Sequence, residues 1–214
     1  MTDAQTMQKA LTPYLDTLGR IADATGPTSD FESSLKHLLR TLAEKHHVIR
    51  PTLSILDPET GTLRLSLSHG SNKATEVEYE INEGVTGQVL STGQAVVVPI
   101  MKDHPAFLNK AHGRSDEELA SLGFLCVPIF GGSRESEGEG NAATTGGNEV
   151  VGTLGVDVSI ENPEQGETLL RFLEVVAGMI ANQVMYLQED MARQKHMRAM
   201  GLLTGGQDLS GQAE

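Results

Sequence analysis

Apolar residues recur at every second position in three short segments, three further segments are largely apolar throughout, and helix-like segments stand before, between and after these six. Alternation of this kind is typical of strands with one buried face, whereas apolar spacings of three and four are typical of amphipathic helices. The strand segments lie at 53–55, 63–67, 76–81, 95–100, 124–130 and 150–158. Since residues 57–61 form a tight-turn sequence, the first two strands are predicted to pair as a hairpin. Six strands with these helices predict an α+β fold built on one sheet.

Three helices with an apolar stripe are predicted outside the strands. The first lies near the N-terminus, where Pro13 either begins the helix or kinks a longer one. The second begins after a cap at Ser29 or Asp30. The third runs from Glu164 to about Gln194. Each helix needs a sheet or a partner to cover its apolar side.

The third helix carries an apolar stripe with the three-and-four spacing of a coiled-coil seam. The seam residues are Leu170, Leu173, Ala177, Ile180, Val184, Leu187 and Met191. A second stripe, of Leu169, Phe172, Val176 and Met179, is confined to the first half of the helix. We therefore expect the first half to pack on its own sheet and on a second copy of the chain. The second half is expected to pack on that copy alone, which predicts a homodimer.

These patterns divide the chain into four parts. Residues 1–27 are predicted to be an N-terminal helical extension, and 28–163 form the core domain. Residues 164–196 form the C-terminal signalling and dimerisation helix, and 197–214 form a flexible linker or tail. Within the core, residues 131–148 are rich in Gly, Ser, Thr and Glu and cannot bury apolar surface, so they are predicted to be a disordered insertion.

Composition excludes several classes of function. The net charge of −13, from 29 acidic and 16 basic residues, opposes direct binding of nucleic acid. The lone Cys126 excludes an intrachain disulfide and an all-cysteine metal site, and its place within a strand indicates a small buried hydrophobe. The seven histidines do not cluster at metal-ligand spacing, and no nucleotide-binding or hydrolase motif occurs. We expect no metal, no cofactor and no enzymatic activity.

The N-terminus has no apolar secretion segment, and no uninterrupted apolar run approaches the roughly 20 residues that span a bilayer. The chain is therefore expected to be a soluble cytoplasmic protein.

Gly84 and Gly87 stand where a strand turns directly into a short helix. Glycine tolerates φ > 0 and close backbone approach at such a turn. A helix N-terminus beside a sheet can also receive an anion. A structural role and a role in a binding pocket are both open for these residues.

Several motifs together resemble a GAF domain. They lie at 81–99 (beginning IleAsnGluGlyValThrGly), 103–109 (AspHisProAlaPheLeuAsn), 123–129 (GlyPheLeuCysValProIle) and 150–156 (ValValGlyThrLeuGlyVal). Over about 28–190 they are similar to the N-terminal regulatory GAF domain of NifA-type nitrogen-fixation activators. The resemblance implies a six-stranded antiparallel sheet with the N- and C-terminal helices on one face and a small-molecule pocket on the other. The 84–92 helix and the 101–122 segment would roof this pocket.

The resemblance also implies a function. NifA-type proteins continue into an ATPase domain that acts on sigma-54 RNA polymerase, and in part of the family the GAF domain binds 2-oxoglutarate and alters the response to an anti-activator protein. A sensing domain of this kind would signal through its C-terminal helix to the output domain. For a dicarboxylate ligand we expect contacts from the cationic side chains and the turn residues Arg64, Gly84, Thr86, Gly87, Lys102, His104, Lys110 and Arg114.

Three alternatives stay open. In the first, the pocket is vestigial and the domain is a dimeric scaffold or a docking surface for an anti-activator. In the second, the domain binds a cyclic nucleotide, as other GAF domains do; Asn109, Lys110, Asp116 and Glu117 match part of that signature, without its Phe. The third is reduction of free methionine sulfoxide, which needs an attacking and a resolving thiol, whereas this chain has Cys126 alone.

Overall fold

The computed structural model describes residues 3–24, 30–46, 48–70, 77–131 and 149–200. In chain order the elements are α1 (Asp3–Ala24), α2 (Phe31–His46), β1 (Ile49–Asp57), β2 (Thr62–Ser68), β3 (Glu78–Tyr79), α3 (Gly84–Thr92), β4 (Val96–Val98), a 3-10 turn (Met101–Asp103), α4 (Asp116–Ser121), β5 (Gly123–Phe130), β6 (Val150–Val158) and α5 (Pro163–Ala199). The α+β class predicted from the sequence is confirmed.

The six strands form one antiparallel sheet in the order β3-β2-β1-β6-β5-β4. The predicted hairpin is present, and the Gly61 N–H donates to the Asp57 carbonyl across its turn. β1 lies between β2 and β6, so Thr52 stands beside both Ser68 and Gly155. β3 is shorter than the alternation at 76–81 predicted, because Ile81 has already left the sheet and is 55% exposed.

The two faces of the sheet have different cover. Leu53, Leu125 and Leu154 point to one face, where they pack in the main core with apolar residues of α1, α2 and α5. On the other face, Phe124 and Cys126 pack against α3 and the segment that follows β4. The N- and C-terminal helices therefore share one face of the sheet, as the sequence resemblance implied.

The N-terminal helix resolves the alternatives for Pro13. α1 continues on both sides of Pro13, so the proline lies within a longer helix. Asp30 precedes α2, and its carbonyl accepts from the Ser34 N–H at 2.9 Å as the first helical bond. Of the two predicted caps, Ser29 lies outside the described residues.

Most of the predicted dimer seam on α5 is already covered within the single chain. Leu173, Ala177, Ile180 and Val184 are at most 1% exposed in the single chain, because the sheet and the other helices already cover them. Leu170, Leu187 and Met191 also pack, in part, against this core. A stripe spaced three and four apart has the same appearance whether a sheet or a second chain covers it, which is why the sequence pattern was ambiguous.

The outer face of α5 remains available to solvent. Val175 is 50% exposed and Tyr186 is 46% exposed. Within the described part of the chain, α5 also has the length and apolarity of a membrane span. Its inner side is buried in the domain, and core helices of soluble proteins have this same composition. The length and apolarity of α5 are therefore weak evidence that it crosses a membrane.

Two predicted segments fall largely beyond what the structure describes. Of the insertion at 131–148, Gly131 alone is described. Of the tail at 197–214, residues 197–200 are described and complete the end of α5.

Burial along α5 predicts a contrast between two neighbouring positions. Leu173→Ala is expected to lower the free energy of unfolding by about 2–5 kcal/mol, because it opens a cavity in the core. Val175→Ala, on the outer face, is expected to change it by no more than about 0.5 kcal/mol. Urea unfolding followed by circular dichroism measures both. Equal losses would contradict the inward placement of Leu173.

Candidate functional site

A cavity lies on the sheet face opposite α1, α2 and α5. Its lining residues are Thr52, Ser54, Leu65, Tyr79, Val85, Thr86, Phe107, Leu108, Ala111, His112, Arg114, Phe124, Cys126, Thr153 and Gly155. The volume is about 30 Å³. A buried water needs roughly 10–15 Å³ measured in this way, so the cavity in this arrangement accommodates a few waters at most. A larger ligand can enter only if part of the cover moves.

The sheet supplies the floor of the cavity through small and hydroxylated residues. Thr52 and Ser54 come from β1, and Thr153 and Gly155 come from β6. A side chain at Gly155 would bring its Cβ to 2.9 Å from the Phe124 ring, so the glycine makes room for that ring. Because these residues are short, the space between sheet and cover stays open.

Residues 101–122 form the cover, which we call the roof. Near its centre, the Asn109 side chain donates to the Arg114 carbonyl at 2.7 Å and accepts from the Arg114 N–H at 2.8 Å. α4 then begins with a capping box, in which Ser115 and Glu118 each accept from the other's backbone N–H. These local bonds fix the backbone on both sides of Arg114.

A buried ion-pair network fastens the roof to the sheet. Arg114 donates from Nε and Nη2 to the two carboxylate oxygens of Asp157, both at 2.7 Å, and the Asp157 side chain is 0% exposed. Arg50 donates from Nε to Asp157 Oδ2 at 2.8 Å and from Nη1 to Glu118 Oε1 at 2.8 Å. Two roof residues are thus bound to two sheet residues, with charges balanced two against two.

Arg50 reaches this network from an unusual backbone position. Its φ is +49°, and the β1–β6 register shifts between Ile49 and Thr52. A left-handed conformation at a residue other than glycine costs on the order of 1 kcal/mol or more. Bulges of this kind redirect a side chain, and here the bulge directs the Arg50 guanidinium to Asp157.

His112 is the titratable ring at the cavity. Its Nε2 lies 3.0 Å from Thr52 Oγ1, and that hydroxyl donates its own proton to the Arg50 carbonyl at 2.9 Å. Thr52 Oγ1 must therefore accept from the His112 Nε2–H, which leaves Nδ1 of the neutral ring as an acceptor. Burial and the nearby Arg114 and Arg50, opposed by Asp157, lower the pKa of His112 to about 4. The ring is neutral at pH 7.

Cys126 is buried, as the sequence predicted, at 0% exposure. Burial raises the pKa of its thiol to about 12, although hydrogen bonds with Thr153 and Thr86 partly oppose the shift. Since the thiolate is the reactive form of cysteine, this thiol is a poor nucleophile at neutral pH.

The structure brings together only part of the predicted ligand set. Thr86 and Arg114 line the cavity. Gly84 adopts φ +64° beneath Leu108, where an added Cβ would come within 3.0 Å of that side chain. At Gly87 an added Cβ would lie 2.3 Å from the Glu80 carbonyl oxygen, so this glycine has a packing role.

The other predicted cations lie outside the cavity lining. Arg64 pairs with Glu78 at the sheet edge, at 2.7 Å and with both side chains exposed. Lys110 donates to Glu83 at 2.8 Å and lies over the Tyr79 ring, which ties down the outer edge of the roof. Lys102 is exposed, and His104 is half-buried nearby.

Sequence reasoning missed Arg50, His112 and Asp157 as well as the hydroxylated floor. One signal was available for Asp157, because it is the single charge in the otherwise apolar segment 150–158. A charge in a fully buried strand requires a partner of opposite charge. Among the described residues, no three His, Cys, Asp or Glu side chains gather as a metal site would require.

A protein-family model, described as the GAF domain, matches residues 30–184. The nitrogen fixation protein VnfA of Azotobacter vinelandii is 31% identical over 183 residues, which make up 84% of this chain and 32% of VnfA. The Nif-specific regulatory protein of Azospirillum lipoferum is 35% identical over 175 residues, which make up 78% of this chain and 25% of that protein. The chain thus spans a quarter to a third of the length of these curated relatives.

Among solved structures, the nlh2 GAF domain of A. aeolicus in an inactive state superposes with a TM-score of 0.64 and 23% sequence identity. The match covers 80% of this chain and 95% of that domain. At this identity the likeness supports the fold alone.

The neutral state of His112 predicts how stability depends on pH. Between pH 6.5, its ordinary pKa, and pH 4, the unfolded chain binds a proton at His112 that the folded chain does not bind. The free energy of unfolding should therefore fall by about 1–3 kcal/mol as the pH decreases through this window. In His112→Gln, which keeps a donor for Thr52, that part of the decrease should vanish. Denaturant unfolding at several pH values gives the comparison, and parallel profiles would contradict it.

The buried network of Asp157 and the exposed pair of Arg64 with Glu78 predict different losses in the free energy of unfolding when one partner is removed. Asp157→Asn should lower the free energy of unfolding by about 3–5 kcal/mol, since it leaves two arginines of a buried network without their carboxylate. Glu78→Gln, which removes one partner of the exposed pair with Arg64, should cost about 0–1 kcal/mol. Thermal unfolding of both variants tests this difference, which similar costs would refute.

Proposed function

The chain belongs to the GAF domain family, and from this premise we propose that it is the metabolite-sensing regulatory domain of a NifA-like transcriptional activator. The effector is 2-oxoglutarate or a similar dicarboxylate, bound without chemical conversion. Binding moves the roof, and α5 passes the change to a sigma-54 ATPase output domain. An anti-activator protein reads the same change. The protein acts in the cytoplasm.

The observation that carries this proposal is the position of Arg114. Of the five cationic candidates named from the sequence, it is the one that lines the cavity, and its side chain is 4% exposed. It belongs to the roof, yet its charge is held by Asp157 of the sheet. Charge-assisted, bidentate bonds of this kind are strong, so a ligand carboxylate can compete directly with Asp157 for the Arg114 guanidinium. Exchange of one carboxylate for the other would release the roof.

The network also lies near the start of α5. A few residues after Asp157 the chain reaches Asn162, whose side chain accepts from the Gln165 N–H at 2.9 Å and caps that helix. A ligand that displaces Asp157 therefore acts close to the first turn of α5. Transmission requires that the ligand bind the two arrangements with different affinity, which competition for Arg114 supplies.

Recognition has to rest on these local groups. The net charge of −13 repels an anion at long range, so diffusion to the site gains nothing from the field of the whole protein. We also propose a homodimer. Since the core covers most of the predicted seam, its contacts would come from the outer side of α5, where Val175 and Tyr186 are exposed.

A ligand-free scaffold or docking module is the second candidate, and the small volume of the cavity favours it. The cyclic-nucleotide alternative has less support, since Asn109 and Lys110 are engaged in bonds within the chain. Methionine sulfoxide reduction is opposed by the buried Cys126, whose pKa is raised to about 12.

Isothermal titration with 2-oxoglutarate, with succinate and cyclic GMP as controls, tests the proposal. Arg114→Gln is expected to weaken binding of 2-oxoglutarate by roughly tenfold or more, because a charged hydrogen-bond donor is lost from the cavity. Lys102→Gln, on the exposed side of the same roof, is the matched control and should bind within about twofold of the unmodified protein.

Circular dichroism confirms that each variant is folded before titration. Unchanged binding in folded Arg114→Gln would show that Arg114 does not contribute to recognition of 2-oxoglutarate. Failure of all three compounds to bind a folded dimer would favour the scaffold candidate.

A further inference from the structure

In the described part of the chain, three buried polar atoms without hydrogen-bond partners belong to residues that contact Thr52 or pair with it. They are Arg50 Nη2, Ser68 Oγ and His112 Nδ1. Thr52 bonds to the His112 ring and to the Arg50 carbonyl, and it stands opposite Ser68 in the β1–β2 ladder. The Arg50 side chain also passes next to Gly70, just beyond the end of β2. We call this place the Thr52 corner.

Unpartnered buried atoms require an explanation. Each costs on the order of 1–3 kcal/mol, and in folded proteins such atoms mark an unplaced water, an ion or a ligand group. Arg50 and Ser68 do not line the main cavity, whereas Thr52 and His112 do. The corner therefore adjoins the cavity lining without being part of it.

The chemistry of the three atoms defines what fits there. Arg50 Nη2 can only donate, and the Ser68 hydroxyl can donate or accept. His112 Nδ1 accepts while the ring is neutral and donates once the ring gains a proton. With His112 protonated, all three atoms are donors, which is the complement that the oxygens of a carboxylate require.

Charge balance also links carboxylate binding to the protonation of His112. Arg50 and Arg114 are matched by Asp157 and Glu118, and all but Glu118 act on the His112 charge. A carboxylate entering the corner would leave this group one negative charge in excess. One proton on His112 restores the balance, so carboxylate binding and proton uptake favour one another.

We propose that the Thr52 corner is a carboxylate-binding site in which Arg50 and Ser68 donate to the carboxylate and His112 takes up one proton as it binds. This inference rests on the proposed function in one respect, since the second carboxylate of a dicarboxylate effector is one source of the group. A separate small carboxylate is the other source.

The test uses the full chain and three acids. They are 2-oxoglutarate, 2-oxobutyrate, which lacks the distal carboxylate, and acetate. Ser68→Ala removes a corner donor, and Ser66→Ala is the matched control because its hydroxyl donates to the Arg64 carbonyl on the same strand. His112→Gln removes the proton acceptor. Affinity and proton uptake come from titration calorimetry in two buffers of different ionisation enthalpy, and 15N NMR of labelled histidine follows the His112 ring.

For the unmodified protein we expect 2-oxoglutarate to bind roughly tenfold to a hundredfold more tightly than 2-oxobutyrate, with close to one proton taken up. Ser68→Ala should remove most of this difference in affinity between the two acids. His112→Gln should abolish the proton uptake, and Ser66→Ala should change neither quantity. Saturable binding of acetate that shifts the His112 resonances, with 2-oxoglutarate silent, would support the corner and overturn the proposed effector.

Other outcomes overturn the corner. If 2-oxoglutarate binds with unchanged affinity and proton uptake in folded Ser68→Ala and His112→Gln, the corner holds water only, while the proposed function stands. If the His112 resonances remain unmoved by all three acids at tens of millimolar, the corner is no carboxylate site.

Discussion

The buried carboxylate of Asp157 is the constraint on which the cavity face depends. An isolated charge at 0% exposure would cost several kcal/mol, so Asp157 requires the three N–H groups that Arg114 and Arg50 donate to it. Arg114 can reach it only if the roof lies down on the sheet, and Arg50 can reach it only from the bulge in β1. The closed roof, the strained backbone at Arg50 and the small cavity therefore have one common cause.

This network determines how much free energy a ligand must supply to open the roof in the proposed sensor. Breaking a buried pair by removing one partner costs about 3–5 kcal/mol, which would hold the roof closed in nearly all molecules. A ligand opens such a domain only if its differential affinity for the open state is of similar size. A carboxylate that takes the place of Asp157 on Arg114 offsets part of that cost, because the arginine keeps a partner while Asp157 keeps the N–H that Arg50 donates. For the proposed sensor, an anionic ligand is therefore the class that this exchange favours.

Local patterns predicted the fold well but the site only in part. The two-residue period located β1, β2 and β3, and largely apolar runs located β4, β5 and β6. Since β5 and β6 are buried almost throughout, their sequences need not alternate. The site instead depends on residue pairs distant in sequence, such as Arg114 with Asp157 and Arg50 with Glu118. A local periodicity gives no information about such pairs. Arg114 was identified as a roof cation, but Lys102 has the same local character and lies exposed. Burial, which separates the two, is set by the tertiary structure alone.

The position of the network explains how one face of the sheet can influence the other. Ile49 and Asp157 are direct partners in the β1–β6 ladder, next to Arg50. β1 follows α2 almost at once, and β6 leads into α5, so both strands connect the network to helices on the opposite face. The roof therefore need not contact α5 to affect it. In the proposed signalling, a change in the partners of Asp157 would displace the end of the strand from which that helix begins.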